Sequence, residues 1–361
     1  MTFGFGKEFR IQIFGESHGE VVGVVIDGCP PGLTIDTDEI QKELDRRRPG
    51  SGPLVSQRFE ADKVQIRSGI FDGKTTGAPI TLTISNTDVD SSSYEDIRHT
   101  PRPGHADYTA RVKYDGHNDY RGGGTFSGRM TAALVMSGSI AKSILNEFGI
   151  EIVAHAIQIG SVNLQHKVSV QDIREKTYTT ATRCADIKTS REMESEISTI
   201  HAEGDSIGGV VECQILDMSA GIGEPFFDSV ESLLSHAMFS IPGVKGIEFG
   251  SGFQGASKLG SENNDAPTIL DGKVTWSKND SGGIMGGISN GAPILFRVAI
   301  KPTPSISKSQ KSVNLETMAE TSLQVGGRHD PCIVPRAVPV IEGLAAVAMV
   351  DLMLRNRVRN G

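Results

Sequence analysis

Apolar and polar positions along the chain alternate between two periods. Runs rich in β-branched residues, several strictly alternating, predict strands at 10–14, 21–27, 80–85, 150–159, 209–216 and 293–301. Helical spacing predicts a helix over 38–47, opened by Asp36 and Glu39 at capping-box spacing and closed by Pro49. A second helix is expected from about 131 to 148. It carries Leu134, Ile140, Ala141, Ile144, Leu145 and Phe148 near one face and stops at Gly149. A third, roughly 340–357, is apolar nearly all round before an arginine-rich end, which places it in the core or in a subunit interface.

Two stretches share a pattern. Residues 21–44 and 210–234 each read strand, turn, cap, helix, with Asp228 and Glu231 as the second cap; internal duplication and chance resemblance both account for this. No low-complexity linker divides the halves, so a single domain over 1–361 is expected. Residues 250–292 are rich in Gly, Asn, Asp and Ser with little periodicity, which reads as a long functional or disordered loop.

Composition narrows the function. The formal charge of −8 argues against general binding to nucleic acid or an anionic membrane surface and leaves room only for a local basic pocket. The four cysteines are scattered without a Cys-x-x-Cys pair, so neither a zinc site nor a disulfide framework is suggested. With no long apolar leader and no uninterrupted apolar run of spanning length, a soluble, cytoplasmic protein is expected. The 42 glycines cluster near 122–124, 250–260, 282–291 and 326–327 without a period, as ligand-contacting loops do.

The candidate chemistry lies in those loops. Tyr120-Arg121-Gly122-Gly123-Gly124-Thr125-Phe126-Ser127-Gly128-Arg129 leads into the second helix and matches neither the dinucleotide fingerprint nor the nucleoside-triphosphate loop. It reads either as an anion cradle, with bare backbone amides and a helix N-terminus, or as a hinge. Gly15-Glu16-Ser17-His18-Gly19 sits between two strands, where a histidine serves as acid or base or as a buried structural group. Arg46, Arg47 and Arg48 point three ways around a helix end, so at most two can serve one ligand; compensation of the helix dipole is the alternative. Arg102-Pro103-Gly104-His105-Ala106-Asp107 places a fixed imidazole near a carboxylate able to orient it. Gly326-Gly327-Arg328-His329-Asp330-Pro331-Cys332 and Lys301-Pro302-Thr303-Pro304-Ser305 complete the set. A metal on His18, His105, His329 and Asp330 lacks the close ligand spacing that makes such sites specific. Histidines and arginines on glycine-rich loops describe an anion-handling enzyme.

The order GESHG, DRRRPG, RPGHADYT, YRGGG…SGR, GGISNG, KPTPS, GRHDPC closely resembles the chorismate synthase family over nearly the whole chain. The resemblance implies an α+β fold, a β-sandwich core of antiparallel sheets flanked by helices and pseudo-duplicated, assembled as a homotetramer. It implies conversion of 5-enolpyruvylshikimate 3-phosphate to chorismate and phosphate by 1,4-anti elimination with reduced FMN and no net redox change. Carried over by motif, His18 protonates the departing phosphate, His105 serves the reduced flavin, and Ser17 and Asp330 relay the ring proton. Arg47, Arg48, Arg129 and Arg328 grip substrate anions. Flavin contacts fall on Thr125, Phe126, Ser127, Pro242, Gly243, Gly286, Lys301, Pro302, Thr303, Pro304, Ser305 and Arg328.

The chain departs from the family pattern in places. Many members carry an arginine where Thr125 stands and a glutamate where Met130 stands, so altered flavin affinity is expected. Pro53 replaces a basic residue associated with nicotinamide binding, so an external flavin reductase is expected as electron source in place of self-reduction with NADPH. An inactive flavin- or phosphate-binding homologue and a metal-dependent phosphatase are the alternatives from other classes.

Overall fold

The computed structural model describes residues 3–48, 62–87, 94–326 and 329–360 and contains two five-stranded antiparallel sheets with helices between them. The first half of the chain contributes β1 (Arg10–Gly15), β2 (Val21–Asp27), α1 (Thr37–Arg47), β3 (Gln65–Ser68), β4 (Ile80–Ser85) and α2 (Thr131–Asn146). The second contributes β5 (Glu151–Ile159), β6 (Gly209–Leu216), α3 (Val230–Phe239), β7 (Val244–Phe249), β8 (Ile294–Ile300) and α4 (Val334–Asn360). Spatial order is β1-β2-β4-β3 in one sheet and β5-β6-β8-β7 in the other, and a two-residue strand extends the outer edge of β1 and of β5. Both halves therefore run β-β-α-β-β-α with the same pairing. The α+β architecture expected from the resemblance holds, and the strand–helix pattern shared by 21–44 and 210–234 falls at equivalent places in the two halves.

Burial explains why the strands read as they do. In β8 buried residues Ile294, Phe296, Val298 and Ile300 alternate with less buried ones, so one face meets the core. The β-branched run of β2 buries Val22, Val24 and Ile26 completely. Helix α2 packs on β1, β2 and β4 and against α4, while α4 packs on β5 and β6, giving the layer order sheet, helix, helix, sheet. Hence α2 is buried almost all round, not on one face as its periodicity suggested, and Phe148, beyond its last turn, is exposed. The two central helices meet at glycines: a Cβ at Gly138 would stand 2.2 Å from Gly343 Cα, so the crossing excludes any side chain.

Several boundaries differ from the expectation for identifiable reasons. Helix α4 begins at Val334, not near 340: Pro335 falls in the first turn, where a missing N–H is tolerated, and the helix continues through Pro339 at the loss of one backbone hydrogen bond. Helix α3 is capped by Ser229, whose hydroxyl accepts from Ser232 N at 3.1 Å, so Asp228 is not the cap. Asp228 instead pairs with Lys7 and Arg355. The 250–292 stretch is not one loop: Pro267–Leu270 pairs with Lys273–Trp276, and Ile284–Met285 with Ile288–Ser289. Strands this short leave little periodicity to read. Val334–Asn356 is long and apolar enough to cross a membrane, with mean hydropathy 1.9, but 89% of its most apolar window is buried inside the protein. It is a core helix.

Candidate active site

The connection from β1 to β2 carries Ser17 and His18, both buried. Asn86, just past β4, pins this loop by donating to Glu16 O (3.0 Å) and Gly19 O (2.8 Å). Tyr94 meets the His18 ring edge-on at 5.1 Å. The triple glycine then lies over the loop, with φ of +59°, +85° and +54° at Gly122, Gly123 and Gly124. A Cβ at Gly122 would stand 2.4 Å from the His18 ring and 2.7 Å from Ser17 Oγ; one at Gly123 would stand 3.2 Å from the His105 ring. Ser17 N donates to Gly124 O at 3.2 Å. Glycines that looked equally like a hinge thus bring both histidines to one backbone.

The cradle differs from the expected form. The glycines lie within the turn Arg121–Phe126, where their φ/ψ are non-helical, and a short 3-10 turn, Gly128–Met130, intervenes before α2, so the helix N-terminus does not abut them. Arg121 turns outward to Asp119, with 2.9 Å from both Nε and Nη2. Ser127 caps the second turn, its hydroxyl accepting from Arg129 N at 3.2 Å, and Phe126 packs near Tyr114.

His105 sits in a dense ionic setting. Its Nδ1 is 2.5 Å from Asp107 Oδ1, and Arg102 grips Asp107 through Nε and Nη2, both at 2.8 Å. With Nδ1–H donating to Asp107, Nε2 faces the bare side of Gly123 and can accept from Arg102 Nη2 at 3.2 Å. Burial opposes the Asp107 charge, but hydrogen bonds from Arg102 and His105 outweigh it and hold the carboxyl well below its usual range. Arg102 also donates to Ser305 Oγ at 3.1 Å, and Lys301 Nζ donates to Gly104 O at 2.5 Å, so 301–305 forms one wall of the His105 site. Thr303 Oγ1 is buried in that wall without a hydrogen-bond partner among the described residues. Gly243, at φ +94°, accepts from Lys301 N at 2.9 Å and supports the wall beside Pro242.

Arg47 and Arg129 converge on Asp62. Arg47 Nη2 donates to Asp62 Oδ2 at 2.8 Å and Arg129 Nη1 to Oδ1, all three side chains being nearly inaccessible. Arg129 Nε also donates to Asn86 Oδ1 at 2.9 Å, so the pair is tied to the residue that pins the His18 loop. Burial lowers the Arg47 pKa to about 10, helped by Arg336 and opposed by Asp62, so it stays cationic at neutral pH. Arg336 joins the other wall, pairing with Asp330 and donating from Nε to Arg47 O at 3.2 Å.

Not every expected residue converges. Arg48 pairs with Asp45 at 3.0 Å at the end of α1, and Arg46 stacks over Tyr178, so of the three arginines only Arg47 reaches the site. Gly286 heads the turn joining Ile284–Met285 to Ile288–Ser289, a hairpin bonded to Val230 and Ile222. Arg328 and Pro53 lie outside the described residues. Sequence reading missed Asp62, Asn86, Tyr94 and Arg336, which belong to no recognisable motif, and gave Arg102 no role.

A separate cavity of about 340 Å³, lined by Glu43, Arg46, Lys142, Tyr178 and Glu342 among others, opens on another face of α1. Lys142 donates to Glu43 (2.7 Å) and Glu342 (2.8 Å), and Tyr178 to Glu342 (2.9 Å). These partners satisfy one another and join α1, α2 and α4.

Fold and site together define an acid–base enzyme for an anionic substrate, with two imidazoles against a side-chain-free backbone and a buried guanidinium pair tied through Asn86 to the His18 loop. The sequence model described as chorismate synthase matches residues 9–354. The chorismate synthase of Korarchaeum cryptofilum is 49% identical over 98% of this chain and 97% of its own length. That of Dehalococcoides mccartyi strain BAV1 is 51% identical over the same shares. A crystal structure of chorismate synthase superposes with a TM-score of 0.78 at 29% identity, covering 98% of this chain and 93% of that one. The chain belongs to the chorismate synthase family. It is a lyase of the shikimate pathway, on the route to the aromatic amino acids, which turns 5-enolpyruvylshikimate 3-phosphate into chorismate and phosphate.

Proposed function

We propose that His18, His105, Ser17 and Asp330 carry the proton movements of this elimination, and that Arg47 and Arg129 hold the substrate's anionic groups. The observation that supports this most is the glycine turn, which puts bare backbone against the His18, Ser17 and His105 side chains together. Loss of phosphate leaves a developing dianion, and a buried imidazolium at His18 delivers a proton to it more effectively than water does. A carbon-bound proton leaves the ring on the opposite side, and the Ser17 hydroxyl and the Asp330 carboxylate carry it away. Arg336, paired with Asp330, holds that carboxylate in place. No net electrons are exchanged, since the C–O and C–H bonds broken are balanced by one new double bond and a shift of another.

The residues fit FMN. A glycine backbone free of Cβ atoms can face a flat ring, Thr303 Oγ1 is an orphaned buried group in the 301–305 wall, and Lys301 and Arg102 supply positive charge there. Reduced FMN, when bound, supplies electron density that stabilises the electron-poor ring as phosphate departs. Asp107 and Arg102 orient His105 toward its site, and Thr125 to Ser127, Pro242, Gly243, 301–305 and Arg328 would hold it. Arg328 completes the substrate grip, while Arg48, held by Asp45, takes no part in it. With Pro53 at the nicotinamide position, electrons come from a separate flavin reductase. The chain works as one domain in a cytoplasmic homotetramer.

Anaerobic incubation with 5-enolpyruvylshikimate 3-phosphate, with and without dithionite-reduced FMN, tests the reading through chorismate absorbance and released phosphate. Chorismate and phosphate in equal amounts, only with reduced FMN and unaffected by chelators, are expected. Phosphate without chorismate would overturn it in favour of a phosphatase. Oxidised FMN with NADPH alone should stay inactive until a flavin reductase is added.

A further inference from the structure

Asp62 stands where a substrate anion is needed. Its carboxylate spans Arg47 and Arg129, one oxygen to each, and its side chain is only 1% exposed. Both arginines have other anchors: Arg47 Nη1 donates to Thr131 Oγ1 at 3.2 Å, and Arg129 Nε to Asn86. Neither therefore depends on Asp62 alone for its position. Arg47 Nε, although buried, has no hydrogen-bond partner among the described residues, so donor capacity is left over. Asp330 already neutralises Arg336, whose charge adds to the repulsion on Arg47.

We propose that Asp62 is a specificity-determining residue acting as an internal counter-anion. It lowers the charge of the arginine pair from two to one, so that a small anion such as inorganic phosphate is held weakly and released, while the multiply charged substrate, with contacts elsewhere, still binds. The inference rests on the assignment of Arg47 and Arg129 to the substrate. A carboxylate serving only to position the arginines would act with the opposite sign, because its loss would loosen the grip.

Asp62→Asn tests this. Asp62 has φ +42°, a left-handed conformation that Asn tolerates as well, so the variant removes charge without backbone strain. Inorganic phosphate binding by calorimetry, together with phosphate inhibition of chorismate formation, should tighten by about tenfold at low salt and by less at high salt. Asp62→Glu, which restores the charge, should return phosphate affinity toward wild type, and Asp62→Ser supplies an uncharged variant if Asn does not fold. Weaker or unchanged phosphate binding in the uncharged variant would overturn the proposal. Wild-type protein that neither binds the substrate nor makes chorismate would overturn the functional reading instead, a separate outcome.

Discussion

Gly122→Ala probes the claim that the glycine turn exists to admit His18. Two costs can be worked from the structure. The first is conformational: alanine at φ +59° costs about 1–2 kcal/mol, because its Cβ crowds the following carbonyl. The second is a collision: the new methyl would lie 2.4 Å from the imidazole and 2.7 Å from Ser17 Oγ, whereas ordinary contact begins at 3.4 Å, so the ring must retreat by roughly 1 Å. A misplacement of that size in an acid group costs on the order of 10² in rate, or about 2.7 kcal/mol of transition-state stabilisation. Gly116→Ala isolates the first cost, since Gly116 also has positive φ (+76°) but open space where its Cβ would be. Steady-state kcat/KM in the anaerobic chorismate assay, with Tm by calorimetry, should show both variants melting a few degrees low and only Gly122→Ala losing activity. Equal activity in the two variants would refute the argument.

Three further outcomes follow from the core. Gly138→Ala drives a methyl into the α4 backbone at Gly343 and should destabilise by at least 1–3 kcal/mol in denaturant unfolding, the upper end for overpacking because backbone cannot rotate away. Glu342→Ala leaves Lys142 buried beside Glu43 alone and should cost about 3–5 kcal/mol, whereas replacing both partners with apolar residues should cost less, as a double-mutant cycle would show. Burial lowers the His155 pKa to about 4, and its neighbour Glu212, 4.0 Å away, is already engaged by Arg297. Because the folded state favours neutral His155, that stability is present above the unfolded pKa near 6.5 and is lost as pH falls from about 6.5 toward 4. Urea midpoints measured across that range should decline, and His155→Gln should flatten the decline.

How much of this was legible in the sequence depended on range. Strands such as 21–27 and 80–85 were readable to the residue because burial on one face imposes a local period. Helix α2 also announced itself, but its neighbours did not: a helix walled in by a sheet and a second helix loses the polar face that periodicity detects. Motif residues with several adjacent signals, His18 and His105 among them, converge as expected. Asp62 and Asn86 left no trace, because each is a lone polar residue whose meaning comes from partners far along the chain, Arg47 and Arg129 for one and the Glu16–Gly19 loop for the other. Asp107 shows the intermediate case. Its proximity to His105 in sequence suggested a contact, and the structure adds Arg102 as the third member.

The matching of the two halves carries a consequence for their history. A chain made of two like units could house twin catalytic centres, one per unit. Here the short link from β1 to β2 holds Ser17 and His18, while its counterpart from β5 to β6 runs through 160–208 and has grown two helices, Val170–Lys176 and Ile187–Ala202. Its end supports the other partner: Ile207 N donates to Pro331 O, and Ser206 Oγ to Thr303 O, the neighbourhood of Asp330 and the 301–305 wall. One copy thus became the chemist and the other its bench, and neither can be removed or exchanged for its twin without dismantling the workshop they share.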